Sequence, residues 1–202
     1  MRGESGDVQA GRGDLHRTVV VVGVLVVAAG AALGTVRFVG GSPAERGVEG
    51  ALGSCALGAV IAAPGALALL ARFRRPALLL PAGALLMPLS GISMAGATLP
   101  LLLPAVVFLI AYARRRPDPV ARPPGLVAAS SAVVILLVFA AFLSLFVHQD
   151  PRSWSTPTGG GATSDVITVW EALLSLLLVG TALVLGWRST APLSGRAGRR
   201  SS

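Results

Sequence analysis

Residues 76–113 read PALLLPAGALLMPLSGISMAGATLPLLLPAVVFLIAYA, an apolar run with no charged side chain. Arg72, Arg74 and Arg75 close it on one side, and Arg114, Arg115 and Arg116 on the other. A membrane span takes about 20 apolar residues rising about 1.5 Å each, so the run is too long for one span and barely long enough for two. Two foldings are open to it. In the first it is a tight hairpin of short helices over 77–92 and 98–113, turning through Ser90–Thr98, where glycines and hydroxyls cluster. Thr98 is then placed to cap the second helix, and Pro100 falls in its first turn, where a missing N–H costs nothing. In the second folding, 76–90 lies along the membrane surface and only 93–113 crosses.

The arginines decide between the two, because cytoplasmic loops of membrane proteins are enriched in Lys and Arg. The chain carries 17 basic residues, every one an arginine. With the hairpin, 14 of them fall on one side and only Arg37, Arg46 and Arg152, which is 3, on the other. With a single span the same residues divide 7 against 10. The hairpin segregates the charge. This predicts an all-α fold, a polytopic transmembrane bundle of six helices in three successive hairpins with N and C termini cytoplasmic. The helices are expected at about 18–36, 49–71, 77–92, 98–113, 126–147 and 166–187. Residues 1–17 read as a disordered cytoplasmic segment, and 188–202 as a basic disordered cytoplasmic tail.

Composition agrees with the membrane class: of 202 residues, 53% are hydrophobic and 13% charged. A formal charge of +8 would suggest nucleic acid in a soluble protein. Here topology already accounts for the arginines at helix ends, and no basic stripe alternates with aromatics, so no nucleic-acid partner is expected. The lipid bilayer is the expected partner, with anionic headgroups drawn to the inner arginine collar. The absence of lysine beside abundant Ala, Gly, Pro and Arg suits a GC-rich bacterial genome and a multi-pass protein of the bacterial plasma membrane. A single Cys55 excludes an internal disulfide and any two-cysteine redox motif. The acids Glu4, Asp7 and Asp14 ahead of the first apolar segment, and the lack of a clear cleavage motif, favour a retained first helix over a signal peptide.

One packing pattern stands out. Gly50, Ser54, Gly58, Ala62 and Ala66 recur every fourth residue along the second helix, the kind of small-residue stripe that lets helix backbones approach in lipid. Gly30-x-x-x-Gly34 in the first helix is the simplest mate, and the same kind of packing would serve a homo- or hetero-oligomer. Pro64 is expected to bend the second helix near its middle. The stretch His148–Asp165, with Gly159-Gly160-Gly161 and many Ser and Thr, reads as a flexible linker. Trp170 and Trp187 lie 17 residues apart, about 26 Å on a helix, and mark the two interfaces of the last span.

Chemistry is sparse. No predicted helix carries an ionisable residue at mid-depth, which argues against a proton-coupled transporter but not against a facilitator lined by backbone and hydroxyls. Gly91-Ile92-Ser93 resembles the serine motif of intramembrane serine proteases, a six-helix family. Such a serine needs a base in reach, and neither His16 nor His148 is placed to supply one, so no catalytic residue is assigned. Glu49, His148, Asp165 and Glu171 form a candidate outer-face polar cluster, since the helix ends that carry them all emerge on one side. Oxygen ligands with an imidazole suit a divalent cation, and Arg46 or Arg152 would serve as an alternative counter-charge. Their spacing matches no motif, so no metal and no cofactor is expected. The reading is a non-enzymatic accessory or envelope-associated membrane protein. A small-solute facilitator or transporter subunit is the alternative, and a membrane-embedded enzyme the third.

Overall fold

The computed structural model describes residues 4–40, 47–72, 75–92, 98–115, 123–146, 150–156 and 159–190. They form six helices: α1 (Glu4–Gly40), α2 (Val48–Leu70), α3 (Leu79–Ile92), α4 (Thr98–Arg114), α5 (Pro124–Ser144) and α6 (Val169–Ser189). Four stretches are long and apolar enough to cross a membrane: Asp14–Gly40, Val48–Leu70, Pro124–Ser144 and Val169–Ser189. Pro76–Ser90 and Leu101–Arg114 are shorter apolar helices.

Most helix ends fall within about four residues of the sequence reading, and three features depart from it further. The first helix begins at Glu4, so residues 4–17, expected to be disordered, are helical backbone. Residues 4–40 contain no proline, and once the apolar part has fixed a helix each added residue gains a hydrogen bond without a new nucleus. The glycines there cost only about 1 kcal/mol each relative to alanine. Second, a short 3-10 turn over Pro76–Leu78 leads into α3, with the Leu78 N–H donating to the Arg75 carbonyl at 3.1 Å. Third, the stretch read as a flexible linker holds two strands, β1 (Asp150–Thr156) and β2 (Gly159–Val166), paired antiparallel. Trp154 stands opposite Gly161, Ser155 opposite Gly160 and Thr156 opposite Gly159, so the glycine run is one side of a ladder. Ladder hydrogen bonds satisfy backbone groups that the residue types alone left open. The fold among the described residues is therefore all-helical apart from this hairpin.

The bundle is built around α2, which packs against α1, α3, α5 and α6. Sequence neighbours also pair: α1 lies on α2, α3 on α4, and α5 on α6. Pro64 is buried within α2, with helix continuing on both sides of it. Short as it is, α3 sits deep, with Leu79, Ala82, Leu85 and Leu86 all at 1% exposure or less. Phe108 of α4, Leu67 of α2 and Val138 of α5 close the same core. By contrast α1 and α5 turn large apolar side chains outward, among them Leu25, Val36, Leu126 and Leu136. Exposed apolar faces around an apolar core suit a lipid solvent, in which both are satisfied.

Candidate functional site

The sequence proposed a polar cluster at one end of the bundle, where α2 and the entry to α6 meet. Gly53 of α2 meets Ile167 just ahead of α6, where a Cβ on Gly53 would lie 2.9 Å from the Ile167 Cβ. The contact lies one turn beyond Glu49, which is in the first turn of α2, and four residues before Glu171, which is in the first turn of α6. Glu49 is half-buried and Glu171 buried, at 9% exposure. His148 lies outside the described residues, and Asp165 is described only as backbone within β2.

Glu171 has a structural occupation. Its Oε2 accepts from the Thr168 backbone N–H at 2.8 Å and from the Thr168 hydroxyl at 2.9 Å. In return the Glu171 N–H donates to Thr168 Oγ1 at 3.4 Å. This is a reciprocal capping box, which satisfies two orphan donors at the start of α6. The signal was present in the sequence as Thr168-x-x-Glu171 and was missed because the acid was grouped with other acids rather than with its own helix start. Among the described residues no group of three His, Cys, Asp or Glu side chains converges as a metal site would require.

The small-residue stripe lies at the α1–α2 crossing. A Cβ on Gly30 would stand 2.7 Å from the Gly58 carbonyl oxygen and 2.9 Å from the Ala62 Cβ. One on Gly34 would stand 2.7 Å from the Ser54 carbonyl oxygen, and one on Gly65 2.6 Å from that of Gly23. Backbone meets backbone along the whole seam. Ser54, Gly58 and Ala62 stand in it, and Gly65 joins them. A step of four residues overshoots a full helical turn by about 40°, so a strict every-fourth stripe winds off the contact, and a step of three restores it. Beside this seam Cys55 is exposed on the wall of a furrow between α1 and α2, shared with Ala31, Thr35, Phe38 and Ala59.

At the opposite end of the bundle the arginines gather. The Arg75 guanidinium lies over the Trp187 ring, 3.4 Å from its centroid, and donates to the Trp187 carbonyl oxygen near the end of α6. It thereby ties the last turn of α6 to the entry of α3. An Arg115 nitrogen lies 3.4 Å from His16 Nδ1, joining the end of α4 to α1. Arg17, Arg72, Arg114 and Arg188 are exposed around these two contacts. His16 is the one histidine among the described residues, and its contact is with an arginine rather than with a hydroxyl or thiol. Ser93, at the protease-like motif, lies outside the described residues. Ser175 of α6 is fully buried, and its hydroxyl has no hydrogen-bond partner among the described residues.

Neither a family model, nor a curated protein, nor a solved structure matches this chain. The functional reading therefore rests on the geometry of the bundle alone.

Proposed function

We propose that this chain is a non-enzymatic, multi-pass protein of the bacterial plasma membrane, an accessory or envelope-associated component. It threads the membrane as three successive hairpins, with both termini in the cytoplasm and the arginine-rich end facing the anionic inner leaflet. The observation that carries the reading is the pairing of long apolar helices that turn large apolar side chains outward with arginines gathered at one end of the bundle. Bilayer insertion needs the first, and orientation follows from the second. Asp, Glu, His, Lys and Arg side chains at mid-depth, the usual marks of an ion or proton path, do not occur between Thr18 and Val36 or in the membrane-length parts of α2 and α5, apart from Glu49 at the start of α2.

Two measurements test the proposal together. Reporter fusions at Gly96 and Gly160 should read outside, and fusions at Pro119 and Ser194 inside; an inside reading at Gly160 sinks the topology. Proteoliposomes carrying the purified chain should release small solutes no faster than empty vesicles. Solute-selective release would replace the accessory role by that of a facilitator.

A further inference from the structure

Between α1 and α4 runs a cleft of about 360 Å³, lined among others by Val22, Leu25, Val26 and Ala29 on one side and Leu103 and Val107 on the other. Every lining residue is apolar, so the cleft asks nothing polar of an occupant. It has room for roughly a dozen chain carbons, taking about 30 Å³ for each, the space of a water molecule in the liquid. Leu103, Val107, Ile110 and Arg114 follow one another at spacings of four, three and four residues, so the line of the cleft continues down one face of α4 to a guanidinium. Arg114 is seven residues beyond Val107, about 10 Å along the helix. On α1, His16 lies six residues before Val22, about 9 Å, and touches Arg115, so both walls reach the arginine level together. An acid at this end, Asp14, is outnumbered by Arg17, Arg72, Arg114 and Arg115.

An apolar slot in line, along one face of α4, with arginines about one headgroup away has the layout of an anionic lipid. We propose that the α1–α4 cleft holds one acyl chain of an anionic phospholipid, with the phosphate engaged by Arg114 and Arg115. The inference rests on the membrane reading above and narrows the arginine collar to one site. Arg75 takes no part, because it is held on the end of α6 by its stack on Trp187 rather than at the α1–α4 contact.

The test uses the full chain in detergent, where orientation in a membrane does not enter, so its failure is separate from a failure of the topology. Binding of a fluorescent phosphatidylglycerol and of the matching phosphatidylcholine is titrated by anisotropy at low and high salt. Phosphatidylglycerol should bind more tightly, and the margin should shrink as salt rises. Arg114→Gln should weaken phosphatidylglycerol about fivefold, the fold-change equivalent to the roughly 1 kcal/mol an arginine gains near an anionic surface. Ala29→Phe, which fills an exposed position of the cleft and keeps every arginine, should weaken both lipids. Equal binding of the two lipids overturns the headgroup site. Unchanged binding in Ala29→Phe, with the variant still monodisperse, overturns the acyl slot, as does full competition by inorganic phosphate alone.

Discussion

Glu171 illustrates how one side chain can be read in two ways. As one of several acids on a common end it suggests a cation site; in place, its carboxylate is turned back onto Thr168 at the start of its own helix. The two readings differ in what they ask of charge. A metal site needs a carboxylate, whereas the third position of a capping box accepts glutamine as well as glutamate. Glu171→Gln should therefore keep most of the stability of α6, while Glu171→Ala should cost about 1 kcal/mol, the usual worth of a cap. Thermal melts of the two variants in the same detergent decide the matter, and a glutamine variant as weak as the alanine one would refute the capping role. This residue was legible in the sequence, because a capping box is a local pattern. The Arg75–Trp187 stack was not, since 112 residues separate the partners and only the folded bundle brings them together. In the sequence Arg75 reads merely as one more positive charge at a helix end.

At the scale of elements, the crossing of α1 and α2 was legible in its partners and illegible in its pitch. Small residues announce close approach, but an every-fourth pattern does not reveal where the contact line leaves it. That depends on 3.6 residues per turn and on the neighbour's own glycines, here Gly23, Gly30 and Gly34. The consequence is a specific ranking. Leucine at Gly58 or Gly65 would drive a side chain into a carbonyl oxygen of α1, an overpacking that costs about 1–3 kcal/mol or more. Ala66 lies one position off the seam and is half-buried, so Ala66→Leu should cost less than either. Melting temperatures in detergent for the three variants give the order directly, and an equal loss at Ala66 would return the seam to the strict four-residue stripe. The β1–β2 hairpin escaped the sequence for a related reason. Strand pairing joins residues that are individually turn-like, and glycines opposite Ser155 and Trp154 look like a linker until the ladder is drawn.

The whole molecule mixes helices of unequal length, and that mixture has a mechanical consequence. The membrane-length parts of α2, α5 and α6 have 23, 21 and 21 residues, about 32–35 Å, enough for the roughly 30 Å hydrocarbon layer with some tilt. The helix α4 has 17 residues, about 26 Å, and the central run gives it no apolar reserve beyond the arginines that end it. A long helix meets a thin bilayer by tilting, but a short one cannot stretch to meet a thick bilayer. The central pair is also fixed to the rest of the bundle, since Leu79, Leu85 and Leu86 of α3 and Phe108 of α4 are anchored in the core. It therefore cannot shift along the membrane normal without dragging the other helices with it. Each added ångström of thickness should then cost a fraction of a kcal/mol at this pair. Reconstituted in bilayers of increasing acyl length, the protein should melt at its highest temperature in thin membranes and lose stability steadily as the chains lengthen. A melting temperature that climbs with thickness would mean that the long helices set the fit, and that the central pair lies in the bundle without bearing on where the membrane ends.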